Sequence, residues 1–261
     1  MLVTVVADYG TGDLAFAEVC QRLALLLPEA AITTVPVAAF DTVGAGFCVA
    51  QLAFGEGPSD RIVYANVAPR QDLDDPRADN AGERLAAARL DSGVLVVGVA
   101  SGSSLSFLAA EGVPVRAVEV ADRGSQFRSR DVFPAALAAL ARGDDSLLGE
   151  ELTVGPPPKQ AVGYIDGYGN IKTTWDHAPA PAGTTVGVRI GEVSVAATVS
   201  DGVFEVPAGT MSFAPGSSGW PRGDGSGDRT FYELLSRGGS AARLFGDPLP
   251  GASVEIVVPP V

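Results

Sequence analysis

Histidine is nearly missing from this 261-residue chain, and His177 is the only one. Any mechanism that needs an imidazole base has that single candidate, and a metal site built from several imidazoles is excluded. His177 sits in "WDHAPAPAG", a Pro-rich loop where a solvated ring is expected. Cysteine is almost as scarce: Cys20 and Cys48 make neither a zinc cluster nor a disulfide framework, and both are expected to be packing residues. Basic side chains are outnumbered, 18 Lys and Arg against 31 Asp and Glu, for a formal net charge of −13. That balance is a poor match for a polyphosphate backbone, so nucleic acid is not an expected partner. Long hydrophobic runs are lacking too. The opening "MLVTVVADYG" has no basic start and reaches a charge at Asp8, while "LALLLPEAAITTVPVAAF" is broken by Pro28, Glu29 and Pro36. Neither a signal peptide nor a membrane span is expected from these segments, and the expected location is the cytoplasm.

What is present is apolar residues, 46% of the chain, enough for one large or two modest domains. From residue 2 to about 142, short β-branched runs alternate with helical patterns, which predicts an α/β sheet. "LVTVVAD" reads as the first strand, and Phe16, Val19, Leu23, Leu26 and Leu27 then recur at helical spacing between Asp13 and Pro28. Further strands are expected at "AITTVPV", "RIVYANV", "GVLVVGVA" and "VPVRAVEV", with helices near 82–90, 103–110 and 131–142. "LTVGPPPKQ" then reads as a linker. Beyond it "AVGYID", "TTVGVRI", "EVSVAAT" and "GVFEV" read as short strands of a smaller, antiparallel, barrel-like β domain, and "APGSSGWPRGDGSGD", 214 to 228, as a long loop. The expected organisation is an α/β domain over 1–150, a Pro-rich linker over 151–160 and a β-rich domain over 161–261.

Four segments carry polar residues suited to a ligand. In "VADYGTGD", Asp8 and Asp13 flank a glycine turn where the first strand gives way to a helix, the edge at which open α/β sheets bind ligands. Asp8 could accept two hydrogen bonds from a sugar cis-diol; equally, Asp8 could be a turn residue and Asp13 a helix cap. "IDGYGNIKTTW", 165 to 175, reads locally as a hairpin turn, yet Tyr168 offers a flat face for a purine between Asp166 and Asn170. "SQFRSRDVFP", 125 to 134, crowds polar residues at a helix entrance, where Ser129 and backbone N–H groups could hold an anion or a water, or could simply cap. In "DRTFYELLSRGGSAARLFG", Asp228 and Arg229 precede a helix-like run, and "RGGSAA" supplies a glycine turn that a ligand could approach closely.

The order of these segments, D-x-G-x-x-D, then F-x-S-R-D, then D-x-Y-G-N, then G-S-A-A, resembles the S-adenosylmethionine-dependent fluorinase, chlorinase and hydroxide adenosyltransferase family, and does so from Val6 to Ile256. "IDGYGN" is the most specific piece of the likeness. The resemblance implies that Asp8 holds the ribose hydroxyls with Asp13 supporting the corner, and that Ser129 lies near the nucleophile. It further implies that Asp166 pairs with the methionine ammonium, Tyr168 stacks on adenine and Asn170 bonds its edge. Asp228 and Arg229 would meet the methionine carboxylate, and backbone at Arg237 and Gly238 would approach adenine. It also implies a homotrimer with the ligand between one subunit's N-terminal domain and the next subunit's C-terminal domain, with no metal and no cofactor beyond the substrate.

The chain departs from that pattern where the hydrolytic branch activates water with an Asp, Arg and His set. Arg128 stands in the place of the histidine, Asn66 roughly where the acid belongs, and Arg70 or Arg77 remains as the arginine. "VGVASGSS", 97 to 104, replaces a further family motif, and a carboxylate such as Asp72 is a candidate substitute base. A guanidinium does not serve as a general base, although it can orient or attract an anion. The expected function is cleavage of the C5′–S bond of S-adenosylmethionine by water, giving adenosine and methionine. Halide transfer, for instance of chloride, and binding without turnover are the alternatives.

Overall fold

The computed structural model describes residues 1–67, 83–121 and 125–257, and the chain divides into two compact units, Met1–Pro157 and Pro158–Val261. The division falls at adjacent prolines inside the Pro-rich segment.

In the first unit the strands are β1 (Leu2–Ala7), β2 (Ala31–Pro36), β3 (Ile62–Asn66), β4 (Leu85–Arg89), β5 (Leu95–Val99), β6 (Arg116–Val118) and β7 (Leu148–Glu151). The helices are α1 (Leu14–Leu26), α2 (Thr42–Phe54), α3 (Ser106–Ala110), α4 (Arg128–Asp131) and α5 (Phe133–Ala141). The strands form one sheet in the order β2-β1-β3-β5-β4-β6-β7. β2, β1, β3 and β5 are parallel, whereas β4, β6 and β7 pair antiparallel to their neighbours. Alternate residues of β1, namely Val3, Val5 and Ala7, join Phe16, Val19 and Leu23 of α1 and Leu137 and Leu140 of α5 in one core. α2 packs against α3.

Two segments of this unit differ from the sequence expectation. The helix expected near 82–90 is strand β4 over its described part, although "LAAAR" is rich in alanine. Leu85 to Ala88 are all buried between β5 and β6, and small side chains suit a strand covered on both faces, so tertiary packing overrides helix propensity. α2 is not among the expected elements: eight of its thirteen residues are buried, seven of them the unbroken run Gly44–Ala50, and none is exposed, which erases the amphipathic period. Its end is closed by the Arg61 guanidinium, which donates to the carbonyls of Leu52, Ala53, Gly55 and Pro58 immediately before β3.

The second unit contains β8 (Val162–Ile165), β9 (Ile171–Thr173), β10 (Thr185–Ile190), β11 (Val193–Val199), β12 (Met211–Pro221), β13 (Asp228–Ser236), α6 (Ala241–Leu244) and β14 (Val254–Val257). The sheet order is β14-β10-β11-β12-β13-β9-β8. A bridge between Ala161 and Ser253 brings its two edges together, giving the barrel-like form. Pairing is antiparallel except between β11 and β12. Phe213, Leu234, Ile171 and Val188 fill the interior.

Here too local composition misleads. The expected loop over 214–228 is mostly strand: β12 runs to Pro221 and meets β13 with a bulge between Pro215 and Gly219. A Cβ at Gly219 would lie 2.0 Å from the Arg229 carbonyl oxygen, so the small residue marks a close strand approach and not a flexible linker. The helix-like run after Arg229 is β13, whose Thr230, Phe231 and Tyr232 suit a strand. "GVFEV", expected as a strand, makes a single 3-10 turn at Val203–Glu205.

Lys172 and Glu233 form a buried ion pair at 2.6 Å, with side chains 12% and 5% exposed, and the same carboxylate oxygen accepts the Ser217 N–H at 3.0 Å. Removing one partner strands the other charge in a poor solvent. Lys172→Met is therefore expected to destabilise the second unit by about 3–5 kcal/mol. Both tryptophans, Trp175 and Trp220, lie in that unit, so urea unfolding followed by tryptophan fluorescence reads it selectively.

Candidate active site

The chain runs from β1 outward to β2 and then crosses to β3 on the other side of β1, so the strand order reverses at β1. Open α/β sheets bind ligands in the crevice outside the carboxyl ends of the strands at such a reversal. Ala7 and Asn66 are in register at the ends of β1 and β3, which places Asp8 and Asn66 at that crevice.

Asp8 follows β1 directly, and its Oδ2 accepts the N–H of Phe40 at 2.9 Å. Phe40 has φ +63°, an unusual value for a residue with a Cβ, and the Asp8 bond steadies the turn after β2. Asp41, next in the chain, caps α2 by accepting the Gly44 N–H at 2.7 Å. Burial and then the Asp8 charge push the Asp41 carboxyl up, against the N–H groups of Gly44 and Val43, which pull it down. Asp13 is the N-cap of α1, its Oδ1 accepting the Ala15 N–H at 2.8 Å on an exposed corner. The capping reading of Asp13 therefore has a concrete bond behind it.

Sequence reasoning passed over Tyr9, which joins these parts. Its ring is set edge-on to Phe16 and Phe127, with centroids 5.1 and 5.8 Å away. Its hydroxyl donates to Ser129 Oγ at 2.6 Å, and the Asn66 side chain lies near enough to favour its ionisation. Burial drives the Tyr9 phenol well above its usual range, so it remains a neutral donor. Tyr64 is fully buried, and its hydroxyl donates to the Ser129 carbonyl at 2.8 Å. Ser129 is thus held at its hydroxyl and at its backbone. Tyr9 and Ser129 are 120 positions apart, a relation that no local pattern encodes. Asp41 could have been found from "DTVGAGF", an N-cap residue ahead of an apolar run.

Arg128 turns to other work. Its Nη1 and Nη2 donate to the carbonyls of Glu83 and Ala121, both at 3.4 Å, and its guanidinium carbon lies 4.8 Å from the Phe133 ring centroid. Arg128 Nε is buried without a hydrogen-bond partner. Arg70, Arg77 and Asp72 lie outside the described residues. Among the described residues there is no group of three or more His, Cys, Asp and Glu side chains arranged to hold a metal.

In the second unit, Asp166 organises the β8–β9 turn. Its Oδ1 accepts the N–H groups of Tyr168 and Asn170 at 2.9 and 3.0 Å, and its Oδ2 accepts Asn170 Nδ2 at 3.0 Å. That is the hairpin local rules favour, and it leaves the Tyr168 ring 84% exposed. Gly169 has φ +81°, and a Cβ there would lie 2.0 Å from Ser240 Oγ. The Gly169 carbonyl accepts the Ala242 N–H at 2.8 Å, so the "IDGYGN" turn and the "GSAA" segment meet.

Arg237 spends Nη1 on the carbonyls of Val206 and Phe204, at 2.6 and 3.2 Å, and Gly238 has φ +86°. Asp228 and Arg229 stand apart from the Tyr168 turn. β13 pairs Leu234 with Ile171, so Arg229 lies about six residues, on the order of 20 Å of extended strand, from the level of Asn170. Arg229 Nη1 and Arg222 Nη2 both donate to Asp176 Oδ2, at 2.9 and 3.1 Å, while His177 Nδ1 sits 3.1 Å from Asp176 Oδ1. Burial opposes ionisation of Asp176, but His177 and the two guanidinium groups together hold it below the usual carboxylate range. The His177 ring is exposed, in keeping with its loop.

No family model matches the chain, and no curated protein matches it. Solved structures share its fold over nearly full length, two of them as follows. An uncharacterized conserved protein from Thermotoga maritima aligns with a TM-score of 0.75 at 19% identity, covering 97% of this chain and 99% of that one. A conserved hypothetical protein from Thermus thermophilus aligns with a TM-score of 0.65 at 24% identity, covering 98% and 99%. At these identities the likeness establishes the two-unit α/β and β fold. No helix among the described residues is long and apolar enough to cross a membrane.

The raised Asp41 carboxyl has a pH consequence. A group that holds its proton more tightly when folded costs stability as pH rises from its unfolded range through its folded one. Asp41→Asn keeps an oxygen acceptor for the cap and removes the charge. Thermal melts are expected to show the variant at least as stable as wild type near neutral pH, with the gain vanishing below the carboxylate range.

Proposed function

We propose that the protein binds S-adenosylmethionine and cleaves its C5′–S bond by nucleophilic substitution with water, releasing adenosine and L-methionine. The observation that carries this reading is the gathering of Asp8, Asn66 and Ser129, through Tyr9, at the point where the strand order reverses. The meeting of the Tyr168 turn with the Ser240 segment supports it from the second unit.

Asp8 is suited to the ribose diol because Oδ2 already steadies the Phe40 turn and Oδ1 is on hand for hydroxyl donors. The exposed Tyr168 ring offers a stacking face for adenine beside the Asp166 and Asn170 polar groups. In the assembly implied by the family resemblance, a homotrimer, that turn would come from a neighbouring copy. The sulfonium leaves as a neutral thioether, so the leaving group needs no acid. Water attacks C5′, the O–C5′ bond forms as C5′–S breaks, and the surplus proton passes to solvent. Positioning and partial desolvation of the water supply the rate.

A second reading, binding without turnover, draws support from Arg128, whose guanidinium is engaged with backbone carbonyls and is no proton acceptor. Incubation with S-adenosylmethionine in ¹⁸O-labelled water, with and without chloride, separates the readings by nucleoside mass. Labelled adenosine is expected. A 5′-chloro nucleoside would instead show halide transfer, calorimetric binding without product would show a binding protein, and no binding at all would overturn the assignment.

Asp8→Asn preserves an acceptor for Phe40 and removes the charge that would grip the diol. Hydrogen bonds to charged groups are worth about 1.5–3 kcal/mol, so calorimetry is expected to show roughly a 10- to 100-fold weaker complex.

A further inference from the structure

The geometry points to Tyr9 as the positioning residue of the nucleophile site: its hydroxyl donates to Ser129 Oγ and thereby leaves the Ser129 hydroxyl hydrogen to be donated outward, to a lone pair of the incoming nucleophile. This rests on the reading above that Ser129 borders the nucleophile.

The direction of donation follows from the partners. A phenol is the stronger donor in a pair with an aliphatic alcohol, and 2.6 Å is a short O–H···O separation. The Asn66 side chain, at the end of β3, lies near the Tyr9 hydroxyl and favours its ionised form against the effect of burial. The relay therefore runs from Tyr9 to Ser129 and ends on a donor. Each member is fixed. Phe16 and Phe127 hold the Tyr9 ring edge-on, and the Tyr64 hydroxyl on the Ser129 carbonyl holds the serine backbone. Ser129 is 5% exposed, so little bulk water competes for its hydroxyl.

A relay ending in a donor orients a nucleophile by its lone pair and takes no proton from it. That agrees with a sulfonium substrate, for which the bond to C5′ can form before the proton is lost. It also suits a site in which Arg128 and Asn66 stand where a histidine base and an acid would otherwise be expected.

Tyr9→Phe keeps the ring between Phe16 and Phe127 and removes one oxygen. The expected result is an affinity for S-adenosylmethionine within about threefold of wild type by calorimetry, with kcat lowered at least about tenfold. In a Ser129→Ala background the same change is expected to lower kcat no further, because the two act as one unit. Unchanged kcat in Tyr9→Phe, an equal loss of affinity and turnover, or independent multiplying losses in the double variant would each overturn the proposal. If wild type releases no nucleoside, the functional reading fails by itself, and melting temperatures of the two single variants and the double variant then decide the Tyr9–Ser129 arrangement. Losses smaller in the double variant than the sum of the singles support it, and strictly additive losses overturn it.

Discussion

The parallel pairing of β1 with β3, with β2 on the far side of β1, is the constraint on which the first unit depends. It sets Ala7 beside Asn66 and so delivers Asp8, Tyr9 and Asn66 to one edge of the sheet. The register is pinned by alternation: Val3, Val5 and Ala7 must face the core shared with α1 and α5, and a slip of one residue would turn them away from it. The polar corner is thus held by apolar packing several residues upstream. α4 then brings Ser129 to the Tyr9 hydroxyl, and the phenol closes the corner between chain segments remote in sequence.

The second unit achieves comparable definition by different means. Its two longest strands, β12 and β13, pair with each other, and its edges meet through the bridge at Ala161 and Ser253. Polar groups do the local shaping: Asp166 folds its own turn, Ser240 caps α6 and abuts Gly169, and Glu233 is shared between Lys172 and a backbone N–H at the β12 bulge. These contacts fix where Tyr168 projects, while the separation of Arg229 from that turn along β13 divides residues that sequence motifs had grouped. Arg229 joins Arg222 and Asp176 instead.

Much of the architecture was legible in the sequence because hydrophobic period and β-branched runs report it directly. β1, α1, β3 and β5 follow from their residues alone, as does the change from an α/β to a β-rich pattern. What was not legible has a shared physical cause. β4 is alanine-rich because it is covered on both faces, α2 lacks a polar stripe because no position of it is exposed, and β12 is glycine-rich because a neighbouring strand crowds it. In each case composition reflects the surroundings and not the local backbone. The candidate site divides the same way. Asp8 announces itself at a strand end, but Tyr9 gains its meaning only from Ser129, and Arg128 only from the carbonyls of Glu83 and Ala121.

The closure of α2 by Arg61 bears on how the protein responds to acid and base. A guanidinium keeps its charge across the range in which proteins fold, and backbone carbonyls do not titrate there. The Arg61 bonds that carry the chain from α2 into β3 therefore hold through acid, whereas Asp60 beside them, paired with the Met1 amino group at 2.9 Å, gives up its charge there. Acidity reaches this part of the sheet through its carboxylates, while the guanidinium clasp beside them persists.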